Sequence, residues 1–311
     1  ALPELRAGRI GIVLSTIMCR VQPDAAHGAR TREACYAVAR SHLAYYQALV
    51  GQGELAWVRN VAELDACLRA WERPSPRTPV GLILAMESAD PILAPDQVAE
   101  WHRAGLRSVS LTHFGVNVYG HGTGTRGGLF PPAYPLMDAL HAAGIVLDLT
   151  HAAELAFWQI LEYWPGPVHA SHCNCRALVP GQRHLSDDMI KAIAARGGVI
   201  GLVFAEAMLN RAWVWEDRAT HRPAATRSLS AVIEHLDHVC QLLGTADHVA
   251  LGTDLDGGFG RELAPTDLDT IADLQQFFPL LRARGYSEED ARKIAHGNLV
   301  RFFRQAWGRT S

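Results

Sequence analysis

The sequence predicts an α/β fold of parallel strands joined by helices and closed as a (β/α)8 TIM barrel, and three observations carry that prediction. Strand and helix signals alternate almost to the end of the chain. The strand signals are continuous apolar runs, as expected of sheets covered on both faces. A chain of 311 residues, 49% of them apolar, suffices for one barrel domain with a large core, so residues 1–311 are expected to form a single domain.

In order, Gly8 to Ile17 (GRIGIVLSTI) reads as a buried strand and Thr31 to Val50 as a long helix with apolar residues at helical spacing. Val80 to Glu87 (VGLILAME) is the next strand, Pro95 to Ala104 a helix, and Leu106 to Thr112 (LRSVSLT) a third strand. A glycine-rich loop, Gly115 to Gly128, leads to a helix around Tyr134 to Ala143. Gly144 to Asn174 then reads as a βαβ unit: an apolar strand ending at His151, an amphipathic helix, and a short strand ending at His172. Ser186 to Arg196 is a helix with Ser186 as N-cap and Gly197 and Gly198 as its exit. Strands at Gly198 to Phe204 and His248 to Thr253 flank a helix from Leu229 to Leu243, and helical material completes the chain. This gives seven parallel strands where closure needs eight. The missing one is either Leu55 to Asn60 or a strand upstream of Ala1.

The ends of the strands carry the chemistry. In a barrel of this kind the site lies at the carboxyl edge, so ionisable residues that close apolar runs are the ones to question. Glu87 ends VGLILAME, His113 follows SVSLT, His151 ends GIVLDLT, His172 ends PVHAS and Asp254 follows VALGT. A lone histidine after a strand is more commonly a cap or a core-edge residue. Two on consecutive strands, with carboxylates at other strand ends, suit a hydrolytic metal centre. Strict alternation would put Asp254 on the face of Ala250 and Gly252, and His151 on that of Leu147 and Leu149. Arg183 by itself reads as a solvated side chain, and Trp213 and Trp215 as loop packing. His121, Gly122 and Gly124 suggest only a flexible loop, without phosphate-cradle spacing.

Composition excludes several function classes. A net charge of −3 with scattered basic residues leaves no footprint for nucleic acid. Six irregularly spaced cysteines argue against a disulfide framework, and Cys173 and Cys175 lack the second pair a zinc knuckle needs. No apolar run is long enough to span a bilayer and no signal peptide is visible, which points to the cytoplasm.

The segments AMES, GLRSVSLTHFGVN, GIVLDLTH, PVHASHCN, RHLSDDMIKAIAARGGVIGLVF, HVALGTDLDGG and IAHGNLVRFF, in this order and spacing, resemble the membrane (renal) dipeptidase family of zinc metallopeptidases, bacterial branch, among the amidohydrolase-type barrels. The resemblance implies a zinc-dependent dipeptidase that cleaves small dipeptides with a metal-activated bridging water. It implies Glu87 as the carboxylate bridging two zinc ions and His151 and His172 as ligands of the second. His113 would contact substrate near the scissile bond, Arg183 would hold the substrate carboxylate, and Asp254 would be the acid/base. A homodimer is a further implication. Family members open with a strand carrying His-x-Asp, which completes the first zinc site, and none precedes Gly8. Two zinc ions per chain are expected if such a strand lies upstream, otherwise one or none. The alternatives are another amide or ester hydrolase on this scaffold, or a metal-poor homologue acting as a binding protein.

Overall fold

The computed structural model describes residues 1–24, 28–213, 225–255 and 257–308. Two compact units emerge, one comprising Arg9–Val168 with the end of the chain from Phe303, the other His169–Phe302 with Pro3–Gly8.

The first unit is built on a parallel sheet. Its strands are β1 (Ile12–Met18), β2 (Leu55–Trp57), β3 (Val80–Glu87), β4 (Leu106–Ser110) and β5 (Val146–Asp148). β3 is central: β1 pairs along it from Ile12↔Gly81 to Met18↔Glu87, β2 takes its first three residues, and β4 takes its last, ending at Glu87↔Ser110. β5 follows β4, with Ser110 opposite Asp148. Leu147 N–H donates to Pro167 O at 3.4 Å, so the chain approaching β6 (Val168–His169) runs beside β5. Glu87, Ser110 and Asp148 therefore stand in one row across three strands. Leu82, Leu84, Met86, Leu106, Val109 and Val146 are all buried, as are Trp101, Leu136, Phe157 and Ile160 of the covering helices. Burial along β3, β4 and β5 is what their unbroken apolar runs anticipate, whereas β1, read from its sequence as a buried strand, is mostly half-buried, with Ile17 buried and Met18 exposed.

The long helix spans Arg32–Gly51, entered through Thr31, whose hydroxyl accepts from Ala34 N–H at 3.2 Å. Of the candidate Leu55 to Asn60 raised from sequence, Leu55–Trp57 forms a strand, which makes eight strands among the described residues.

In the second unit β7 (Ile200–Leu202) pairs in parallel with β8 (Val249–Leu251), and Ala170, just after β6, bridges to Ile200. Helix Asp187–Ala195 starts at Ser186, whose hydroxyl accepts from Met189 N–H at 3.3 Å. Helix Leu229–Leu243 stops at Gly244, which takes the left-handed conformation (φ 69°) that ends helices cleanly. Paired segments are shorter here than the apolar runs predict. Val199, Val203 and Phe204 are fully buried without belonging to the β7 ladder, because hydrophobicity reports burial and not pairing. No described helix is long and apolar enough to cross a membrane. Trp215 lies outside the described residues.

Candidate metal centre

Three ionisable side chains of the first unit converge at the carboxyl ends of β3, β4 and β5. Glu87 is the last residue of β3, while His113 and His151 each stand three residues beyond the last residue of their strand. Glu87 Oε1 lies 2.8 Å from His151 Nε2 and 3.4 Å from His113 Nε2. One donor atom from each residue falls within 4.8 Å of the others, the one such His/Cys/Asp/Glu group among the described residues. The side chains of Glu87, His113 and His151 are only 15%, 12% and 3% exposed. One carboxylate and two imidazoles, gathered in a place that water barely reaches, form a donor set that suits a divalent transition metal such as zinc. The two imidazole rings lie 4.2 Å apart, and Phe114 packs within 5.1 Å of both, walling the cluster on one side.

Alternation does not aim these side chains. β5 stops at Asp148, and His151 occupies the third position of a turn closed by Ala152 N–H to Leu149 O at 3.3 Å, with φ 68°. Asp254 likewise follows β8 by three residues with φ 56°. Both positions are in the left-handed region, so the face reasoning drawn from the sequence is corrected: the turns, not the pleat, set these directions. Ser88, beside Glu87, also takes a left-handed φ of 73°. Its N–H donates to Ser110 Oγ at 3.2 Å and its hydroxyl to Asp90 Oδ2 at 3.0 Å. Asp90 is buried and also accepts from Val21 N–H at 3.0 Å; loss of hydration pushes its carboxyl above the usual carboxylate range despite the nearby Arg32 and Arg20. Arg32 donates to Leu93 O, Ile92 O and Tyr119 Oη, holding the segment that follows Glu87.

The glycine-rich loop is not the loose connection its composition suggests. Gly115 N–H donates to Thr123 O, Thr123 N–H to His113 O, and Gly122 N–H to Gly115 O, at 2.9, 2.9 and 2.8 Å. Ala153 N–H donates to His121 O at 3.1 Å, so the loop is tied to the backbone beside both histidines. Thr123, which sequence reasoning missed, sets its hydroxyl 3.0 Å from His151 Nδ1.

His172, Arg183 and Asp254 belong to the second unit. His172 stands three residues past β6, with its Nδ1 2.8 Å from Ser171 Oγ. Arg183 is buried, donating from Nη2 to His172 O at 2.8 Å and from Nη1 to Cys173 Sγ at 3.3 Å, so it is not a solvated side chain. The Asp254 carboxylate abuts Gly257, where a Cβ would approach Oδ1 to 2.1 Å. His184 is buried, and both its ring nitrogens lack a partner among the described residues; dehydration, with Arg183 next in effect, drives its pKa down to about 3. His235, buried on the helix Leu229–Leu243, falls to about 4 for want of hydration and receives Cys175 N–H at Nδ1.

Comparison with known proteins adds a family. The model of the membrane dipeptidases, peptidase family M19, matches residues 1–309. A Klebsiella pneumoniae protein from the pqqA 5' region is 32% identical over 67% of this chain and 74% of its own. Dipeptidase tcpJ of Claviceps purpurea is 28% identical over 66% of this chain, and the match spans 46% of that protein. Among solved structures, the metallopeptidase dipeptidase AC superposes with a TM-score of 0.83 at 26% identity, over 99% of this chain and 89% of its own. A Rhodobacter sphaeroides metallopeptidase, liganded with a phosphinate mimic of L-Ala-D-Ala, gives 0.82 at 25% identity over 98% and 90%. The mixed α/β fold is thus of the TIM-barrel-like amidohydrolase type, and the chain belongs to the membrane dipeptidase family, peptidase family M19.

Proposed function

We propose that the protein is a zinc-dependent dipeptidase. The observation that carries this reading is the convergence of Glu87, His113 and His151 at the ends of three adjacent parallel strands. Glu87, His151 and His172 are the residues we assign to holding zinc. Bound there, zinc would polarise a carbonyl and bring the pKa of a water toward neutrality. Asp254 takes a proton from the attacking water and returns it to the departing amine, a carboxylate's ordinary work as general base and then acid. His113, with Nε2 beside Glu87 and its ring against Phe114, contacts the substrate at the scissile bond. Arg183 receives the substrate's terminal carboxylate, a two-pronged contact for which a guanidinium is shaped. The phosphinate ligand of the Rhodobacter neighbour supports small dipeptides, including those with a D-residue at the carboxyl end, as the substrate class.

The test is zinc content by elemental mass spectrometry, together with hydrolysis of a panel of L,L- and L,D-dipeptides against N-acyl amino acids and lactones. Chelator-sensitive cleavage confined to dipeptides is expected. Preference for acyl amino acids or lactones, or dipeptide cleavage indifferent to metal, would refute the proposal.

A further inference from the structure

We infer that Thr123 is a positioning residue that holds His151 as a metal ligand, with the glycine-rich loop as its mount; the inference rests on the metal reading above. Thr123 is buried, and its hydroxyl lies 3.0 Å from His151 Nδ1 and 3.4 Å from His151 O. A hydroxyl has one proton to give and two lone pairs to receive with, whereas a carbonyl only accepts. When Thr123 gives its proton to His151 O, it receives Nδ1–H, and the lone pair of His151 is then on Nε2. That nitrogen is the one 2.8 Å from Glu87 Oε1, where the donor set converges. One side chain thus fixes both the tilt of the ring and the nitrogen offered, as the outer partners of metal-bound histidines do.

The hydroxyl can do this because its own backbone is held. Thr123 exchanges hydrogen bonds with His113 O and Gly115 N–H, and the neighbouring Gly122 packs so closely that a Cβ there would come within 2.0 Å of His113 O. Glycine at 122 is therefore required by contact with the strand-end backbone and not by looseness. The two histidines are consequently unequal. His113 Nδ1 is buried without a partner among the described residues, and its ring is set by packing against Phe114 and by the contact with Glu87. His151 is built as a fixed ligand; His113 is left able to reorient toward a substrate.

The test compares wild-type full-length protein with Thr123→Val and Thr123→Ser. Zinc affinity is read by competition with a chromophoric chelator, and thermal melting of the metal-free proteins is recorded beside it. Thr123→Val should weaken zinc binding about 10- to 100-fold while metal-free melting holds, and Thr123→Ser, which keeps the hydroxyl, should restore affinity to within about 3-fold of wild type. Thr123→Ala takes the place of valine if the extra methyl lowers the melting temperature. Unchanged zinc affinity without the hydroxyl overturns the inference and leaves the dipeptidase reading standing. Equal loss in the serine variant also overturns it, since the role would then be packing. A wild-type protein that binds no zinc overturns the metal reading itself and this inference with it.

Discussion

Replacing Gly252 with alanine should disable the protein through the backbone in front of His172. A Cβ at residue 252 would stand 2.0 Å from Ser171 O, 2.9 Å from Gly201 C and 3.0 Å from Gly201 Cα, and a Cβ added at Gly201 would likewise meet the same Ser171 carbonyl at 2.0 Å. Carbon atoms do not sit closer than about 3 Å to such an oxygen, so Ser171 O must retreat by about 1 Å. No flexible side chain absorbs the shift, because every neighbour named is backbone. Overpacking of this kind costs about 3 kcal/mol, which lowers the melting temperature of a chain this size by roughly 5 °C. Ser171 immediately precedes His172 and holds its Nδ1 at 2.8 Å, so the displacement passes directly to a proposed ligand. An error of 1 Å at a reacting centre costs on the order of 100-fold in rate. The assay is a thermal melt with kcat/KM on a dipeptide; a Gly252→Ala protein with wild-type melting and turnover would refute the reasoning. Gly244→Ala, where a Cβ meets nothing within 4 Å, is the control, and its left-handed φ limits the expected loss to about 1 kcal/mol.

The remaining predictions concern single residues. Asp254→Asn should abolish turnover and leave zinc content unchanged, since the amide cannot accept the water's proton; retained turnover would remove Asp254 from the mechanism. Arg183→Met should raise KM for dipeptides with free carboxylates, but because Arg183 also donates to His172 O, kcat should fall too, and a pure KM effect would show that the backbone contact is idle. His184 and His235 have folded pKa values lowered to about 3 and about 4 from 6.5, so the stability they support is present above pH 6.5 and is lost as pH falls from there toward those values. The unfolding free energy from denaturant melts should drop between pH 6.5 and 4.5, by up to about 1.4 kcal/mol per pH unit for each histidine, and His184→Leu should remove its part of that slope. Thr31→Ala, which deletes the cap on Ala34 N–H, should lower stability by about 1 kcal/mol without touching turnover.

How much of this was legible in the sequence varies from residue to residue for physical reasons. VGLILAME reads as a strand because seven apolar or small residues run unbroken to a charge, and β3 is Val80–Glu87. The helix Leu229–Leu243 reads to the residue because a serine precedes it and a glycine able to take positive φ follows. LAW is too short to show any period, and Leu55–Trp57 could only be nominated as a strand. Thr123 left no signal. Its neighbours are glycines, which in a sequence announce conformational freedom, yet here Gly122 is required by a contact between backbones distant in the chain. Arg183 was misleading in the opposite sense, polar in type but buried on the carbonyl of His172.

The deeper reason that the candidate residues resist alternation arguments is where they stand along the chain. A strand offers side chains at a period of two, but only Glu87 is still within one; His113, His151, His172 and Asp254 all come three residues after their strands end. There the chain turns, and Ser88, His151 and Asp254 adopt left-handed conformations that cost a side chain on the order of 1 kcal/mol each. Such residues persist where neighbours over-determine them. Ser88 is held by Ser110 and Asp90, and the carbonyl of His151 takes hydroxyls from Thr112 and Thr123 at 3.3 and 3.4 Å. The sheet sets the spacing between strand ends, and hydroxyl residues around the turns hold Ser88 and His151 in place. A change in Thr112, Thr123 or Ser110 should therefore reach the chemistry as surely as a change in a ligand, though none of the three carries a charge or would attract notice as a site residue.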